Sequence, residues 1–315
     1  MTENYMCLKE AGFTEIKPIG KGSYAIVYKA LHPTTKRQVA LKICKRKEDN
    51  VSSNLLREVS FMREMEECPY IASVEDVYFL EGFVVMQMEL QPFDLAMAIR
   101  SWRKRGELLT SVQRQFFLKQ ILWALYYCHS ASIVHADLKP NNILVKSDGL
   151  LVLADFGLAI KLKDGSVGQT RNVLQTSWYR APEMFFDPAT TPQSILVSNR
   201  IDMWSFGSIW YELVVLRPWF CDCTTDQEVF VKLKRDTKNI TEFLEIQFDG
   251  LDVEKEEKDL IKRCLDRNPV ARPSVSELLK MPWFKNKTNK TPVVEPTSEA
   301  STFPNFSNCS SAKAK

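Results

Sequence analysis

IVHADLKPNNILV, residues 133–145, sets an acid, a base and an amide (Asp137, Lys139 and Asn142) at fixed offsets between two apolar runs that read as buried elements. The chain has a different character on either side of it. Before it, β-branched and aromatic residues crowd FTEIKPIG, AIVYKALH, QVALKIC, VEDVYFL and FVVMQMEL, with turn residues between them, the pattern of short strands. One helix interrupts this region. SSNLLREVSFMREME, residues 52–66, opens on a serine cap and spaces Leu55, Leu56, Val59, Met62 and Met65 into one apolar stripe. Past LQPFDL the pattern turns to long helices, notably VQRQFFLKQILWALYYCHS and DMWSFGSIWYELVVL. The expectation is an α+β protein, a small sheet-rich lobe followed by a larger helical one. From about residue 286 the chain is rich in Ser, Thr, Asn, Lys and Pro without periodicity, and reads as a disordered tail.

Composition narrows the function. The 315 residues are 45% hydrophobic and 26% charged, enough chain to bury a core in two lobes. A net charge of +3 gives no general attraction to nucleic acid or membrane. No apolar run is long enough to cross a bilayer. The eight cysteines are scattered, and MTENYMCLKE carries charges where a signal peptide needs an apolar stretch, which points to a soluble protein in a reducing intracellular compartment, cytoplasm or nucleus. Cys221 and Cys223 form the closest pair, but no second pair or nearby His completes a tetrahedral metal site.

The chemistry begins at GKGSYAIV, residues 20–27. Gly20 and Gly22 permit a tight turn whose backbone can approach phosphate oxygens, although a plain hairpin would look the same. Lys42 in VALKIC sits in so apolar a run that its ammonium needs an anion, and Glu58, on the inner side of the helix stripe, offers one. ADFGLA puts Asp155 at the end of another strand. Asp155 and Asn142 are the hard oxygen ligands Mg²⁺ prefers when phosphates complete its shell. Asp137 is then placed to accept a proton from an attacking hydroxyl, and Lys139 to neutralise a moving phosphoryl group. Arg272 in RNPVARPS suits a buried pair with Glu183, which ends SWYRAPE.

In their order, GKGSYAIV, VALK, HADLKPNN, DFG, APE and DMWSFG resemble the eukaryotic protein kinase signature over roughly residues 13–285. DLKPNN and TSWYRAPE resemble the Ser/Thr type, and WYRAPE with the residue 52–66 helix is most similar to the cyclin-dependent kinase branch. The resemblance implies a bilobal fold with an N-terminal extension at 1–12, an N-lobe at 13–90, a C-lobe at 91–285 and the tail at 286–315. It implies ATP and Mg²⁺ as cofactors and a protein substrate. Lys42, paired with Glu58, would hold the α and β phosphates. Asp137 would be the base, Lys139 would serve the γ phosphate, and Thr176 would bridge the two. Asn142 and Asp155 would hold the metal. Gly20, Lys21, Gly22, Val27, Ala40, Met88, Glu89, Leu90, Gln91 and Leu144 would surround the nucleotide, with Met88 guarding the back of the pocket and Glu89 to Gln91 forming a hinge. His135 and Phe156 would be packing groups.

The sequence departs from the pattern at informative places. The resemblance expects an arginine where Ala136 stands and a second where Ile160 stands, both there to receive a phosphate on the activation loop; of the cluster, Arg57 remains. Each lost charge-assisted partner is worth roughly 1.5–3 kcal/mol. The expectation is therefore an active enzyme that depends little on phosphorylation of that loop, with Thr170 the nearest acceptor. A pseudokinase acting as a binding module is the rival reading, supported by Ala25, Ala136 and the missing arginines and opposed by intact Lys42, Glu58, Asp137, Asn142 and Asp155. A small-molecule phosphotransferase fits poorly beside an APE-anchored segment. The stretch from Trp204 to Arg272 is short for the insert that much of the branch carries. Branch membership also implies Pro after the acceptor residue, through Arg180 near Gln175, phosphate sites at Ser23 and Tyr24, and a cyclin-like activator docking on helix 52–66.

Overall fold

The computed structural model describes residues 3–21, 25–45, 53–80, 82–163, 168–170, 175–185 and 195–285. Gly22, Ser23, Tyr24 and the segment from 286 onward, each singled out by the sequence, lie outside the described residues. The chain begins with a helix, α1 (Glu3–Glu10), which the sequence pattern left as an undefined extension. It is followed by strands β1 (Thr14–Lys21), β2 (Ile26–Leu31) and β3 (Gln38–Lys45), helix α2 (Ser53–Glu64), and strands β4 (Val74–Leu80) and β5 (Phe83–Glu89). These strands form one antiparallel sheet in the order β1-β2-β3-β5-β4.

Period-two alternation in QVALKIC gives the sheet two working faces. Val39, Leu41 and Ile43 turn to the outer face, where they meet Tyr28, Phe83, Val85 and the fully buried Leu8 of α1. Ala40, Lys42 and Cys44 turn inward to the cleft. Helix α2 also lies on the inner side, with Leu55, Val59, Met62 and Met65 buried. Leu56 does not join this stripe. It is 38% exposed, because it stands about 100° around the helix from Leu55, and Phe61 fills the core in its place. The helix ends at Glu64, two residues before the expected end at 66, and residue 52 lies outside the described residues.

The second lobe starts with β6 (Phe93–Asp94), α3 (Leu95–Arg105) and α4 (Ser111–Ser130). Asp94 caps α3 by accepting from the Met97 N–H, Gly106 ends it at φ 68°, and Thr110 with Gln113 forms a reciprocal capping box on α4. Next come β7 (Ile133–Val134), β8 (Ile143–Val145), β9 (Leu151–Leu153) and β10 (Ile160–Lys161), then β11 (Gly168–Thr170) and β12 (Ile195–Val197). β6, β8 and β9 form a three-stranded sheet, β7 pairs with β10, and β11 pairs with β12.

Helix α5 (Arg200–Val215) is buried all round from Ile201 to Val214, mostly apolar but carrying Asp202, Ser205, Ser208 and Glu212 into the core. Helices α6 (Asp226–Asp236), α7 (Ile240–Gln247), α8 (Lys255–Cys264), α9 (Val275–Leu279) and α10 (Pro282–Lys285) surround it. Gly207 allows α8 to approach α5, since a Cβ there would stand 2.8 Å from that of Cys264. Among the described residues, no helix is long and apolar enough to cross a membrane.

Candidate active site

A cleft of about 1240 Å³ opens between the sheet and the helical lobe. Its lining brings together the described members of the sequence-derived set. From the upper side come Gly20, Lys21, Val27, Ala40, Lys42, Glu58 and Met88, followed by Glu89, Leu90 and Gln91 as the chain leaves β5. From the lower side come Asp137, Lys139, Asn142, Leu144, Asp155 and Thr176. Ala40 pairs with Met88 across the β3–β5 ladder, so the roof and the back of the cleft are fixed by one register.

Lys42 links the lobes. Its Nζ donates to both carboxylate oxygens of Glu58 at 2.7 Å and to Asp155 Oδ1 at 2.8 Å. Burial works against this ammonium, but Glu58 and Asp155 outweigh it and hold Lys42 above the ordinary lysine range. Burial likewise opposes ionisation of Asp155, and Lys42 more than offsets it, holding that carboxyl below the usual value. Gly157 leaves room for the Asp155 carboxylate, since a Cβ there would stand 3.2 Å from Asp155 Oδ1. Arg57 donates to the Gly157 carbonyl at 3.2 Å, and Lys161 of β10 pairs with Glu64 at the end of α2.

On the lower side, Asp137 is held by several donors. The Thr176 N–H and hydroxyl reach Oδ1 at 3.0 and 2.9 Å, while Lys139 and the Asn142 amide reach Oδ2 at 2.7 and 3.1 Å. Lys139 also donates to the Thr176 hydroxyl at 2.7 Å. Asn142 gives its remaining donor to the Asp137 carbonyl, and its Oδ1 accepts from no described residue. The Asp137 N–H donates to His135 Nδ1, so His135 carries its proton on Nε2, 3.0 Å from the Ala154 carbonyl. The Phe156 ring meets His135 edge-on at 4.9 Å, and both are fully buried.

Ala136 is fully buried with φ 61°. Its N–H donates to Asp202 Oδ1, and the His135 N–H donates to Asp202 Oδ2, each at 2.9 Å. Sequence reasoning recorded Asp202 only as part of DMWSFG. The available signal was an acid in the first turn of a helix otherwise built for the core. A second omission is Glu212, which is 3% exposed and accepts from the Tyr179 hydroxyl at 2.7 Å. Burial pushes it up to about 7.

Farther along the segment, Gln175 takes φ 66°, and its carbonyl accepts from Arg180 Nε and Nη2 at 3.3 and 3.1 Å. Arg180 Nη1 pairs with Asp226 at 2.5 Å. Arg272 forms a two-point ion pair with Glu183 at 2.6 and 2.7 Å, and stacks over Trp204. The Arg180–Gln175 and Arg272–Glu183 contacts match the sequence expectation, whereas Asp226 was not anticipated.

The protein kinase domain family model matches residues 13–284. The serine/threonine-protein kinase KIN28 of Saccharomyces cerevisiae (strain ATCC 204508 / S288c) is 34% identical over 209 residues. That alignment covers 66% of this chain and 65% of KIN28, just under two thirds of the relative's length.

Proposed function

The chain belongs to the protein kinase domain family, and from that premise we propose that it is a serine/threonine kinase transferring the γ-phosphoryl group of ATP to hydroxyl groups of proteins. One observation carries the reading: Lys42, tied to Glu58 and Asp155, faces Asp137, Lys139 and Thr176 across a single cleft. Lys42 then binds the α and β phosphates, and Gly20, Lys21, Val27, Ala40 and Leu144 enclose the nucleotide between Met88 and the Glu89–Gln91 hinge that divides the lobes. Asp137, oriented by the Thr176 N–H and hydroxyl, accepts the proton of the incoming hydroxyl, and Lys139 follows the charge of the moving group.

The donor set suits Mg²⁺. Asp155 keeps 47% of its side chain exposed, and Asn142 Oδ1 is unbonded among the described residues. Two hard oxygens beside phosphate-binding groups are what that ion takes when substrate completes its shell. When bound, the ion neutralises charge developing on the phosphate oxygens. The test is transfer of the γ phosphate to a generic protein substrate with Mg²⁺. Asp155→Asn should lower the rate by about 10²–10³-fold, the cost of losing one well-placed electrostatic group. Equal rates in wild type and variant would sink the proposal.

The finer reading is proline-directed. Arg180 draws the Gln175 carbonyl toward itself, so this acceptor is withheld from an N–H of the residue after the phosphorylated Ser or Thr. Pro, which has no N–H, loses nothing there. A peptide array lacking Pro enrichment at that position removes this part. Low dependence on loop phosphorylation is supported by Ala136 and Ile160, which pack in or against the core, and by Arg57, already bonded to Gly157. A cyclin-like activator docking on α2 is a second reading, favoured by exposed Leu56 beside Arg57. Assay of the purified chain alone separates the two, since a partner-dependent enzyme is inactive by itself.

A further inference from the structure

Arg100 and Arg103 lie three residues apart on α3, exposed, and both line the same cleft as Asp137. Neither forms an ion pair among the described residues, whereas Arg105 on the same helix is occupied by Glu107. The carboxylates whose charge reaches Arg100 are already committed. Asp94 accepts from the Met97 N–H at 2.7 Å and from Asn141. Glu212 is sequestered under Tyr179. Burial pushes Glu212 up to about 7, so near neutral pH it presents only part of a negative charge to Arg100. This end of the cleft is therefore cationic, and among the described residues its charge is not taken up by an ion pair.

Asp137, Tyr179, Arg100 and Arg103 line one cleft, and Arg100 lies within electrostatic reach of Tyr179 and Glu212. A peptide with its acceptor hydroxyl at Asp137 and its following residue at Gln175 and Arg180 can run its preceding residues the other way, toward α3. We propose that Arg100 and Arg103 select substrates with an anionic side chain, acidic or phosphorylated, N-terminal to the acceptor Ser or Thr. The inference rests on the kinase reading and adds the substrate class to it. Guanidinium groups suit both ligands, since each presents a planar fork to carboxylate or phosphate.

The experiment compares kcat/KM on one Ser-Pro peptide carrying Ala, Glu, phosphoserine or Lys at the two to four positions before the serine. Wild type should favour Glu over Lys by about 1.5–5-fold, the range of exposed ion pairs, and the preference should shrink as ionic strength rises. Arg100→Glu/Arg103→Glu should reverse the order toward Lys, a change that loss of packing does not produce. A thermal melt of the variant checks that it is folded. A gain with phosphoserine but not Glu assigns the site to a pre-phosphorylated substrate; a gain with both assigns it to anionic side chains in general. Equal rates across the series, with turnover on all peptides, overturn the inference and leave the kinase reading standing. The series is run under conditions in which the generic protein substrate is phosphorylated, so that no turnover on any peptide there removes the inference and leaves the kinase reading standing.

Discussion

Ala136, Asp155 and Gln175 take left-handed backbone conformations with no glycine among them. Such residues cost about 1–3 kcal/mol each and persist where surrounding contacts over-determine them. The contacts are visible. Asp202 holds the Ala136 N–H, Lys42 holds the Asp155 carboxylate, and Arg180 holds the Gln175 carbonyl, while Ser205 and the Ala181 N–H bond the Gln175 side chain. That Asp137, Lys139 and Asn142 would share one cleft was legible because acid, base and amide at fixed spacing have few other uses. The left-handed turns were not, since Ala, Asp and Gln do not announce them. Glu212 gives a prediction at this scale. Its value rises from an ordinary 4.5 to about 7, so the folded state holds the proton more tightly than the unfolded chain. No penalty exists below about pH 4.5, and stability is lost as pH rises to about 7. The full penalty is on the order of 3 kcal/mol. Glu212→Gln, which can still accept from Tyr179, should gain stability over wild type at pH 8 but not at pH 4.5, read from urea midpoints.

At the scale of elements, the strands of the first lobe were readable because half-buried strands repeat every two residues, and QVALKIC sorts cleanly into two faces. Helix α2 was readable in extent but not in every contact, as exposed Leu56 shows. Helix α1 was missed because its sequence, ENYMCLKE, has a weak apolar stripe. It is held chiefly by Leu8 entering a core that the sheet supplies. The pairing of β11 with β12 was also missed. Gly168 faces Val197 and Thr170 faces Ile195, three residues on each side from segments far apart in sequence. That ladder joins two segments far apart in sequence, while Lys161–Glu64 and Arg57–Gly157 tie α2 to the residues after Asp155, and on the proposed reading these contacts stand in for a loop phosphate. Thr170→Ala should therefore keep kcat/KM within the same order of magnitude as wild type in a peptide assay. Abolished turnover in a folded variant would refute the reading of Ala136 and Ile160.

At the scale of the whole molecule, two long-range ion pairs fix the working geometry. Lys42–Asp155 joins the lobes, and Glu183–Arg272 anchors the end of the activation segment to the helical lobe. Arg272 is buried and also donates to the Asp266 and Arg200 carbonyls. Arg272→Met should cost about 3 kcal/mol by chemical denaturation, near the low end for breaking a buried pair, because Glu183 retains 21% exposure. It should also slow peptide phosphorylation by loosening the segment that carries Thr176 and Gln175.

The sequence by itself determined the two-lobed plan, most of the residues that line the cleft and the pairs Lys42–Glu58 and Glu183–Arg272, because periodicity and a charge placed in an apolar run are local properties that burial converts directly into structure. Only the tertiary structure decided what Asp202 clamps, which face α1 covers, how β11 finds β12, and that Arg100 and Arg103 line the cleft with no ion pair among the described residues. Those facts depend on which distant groups come to share a low-dielectric space, and no local pattern carries that information.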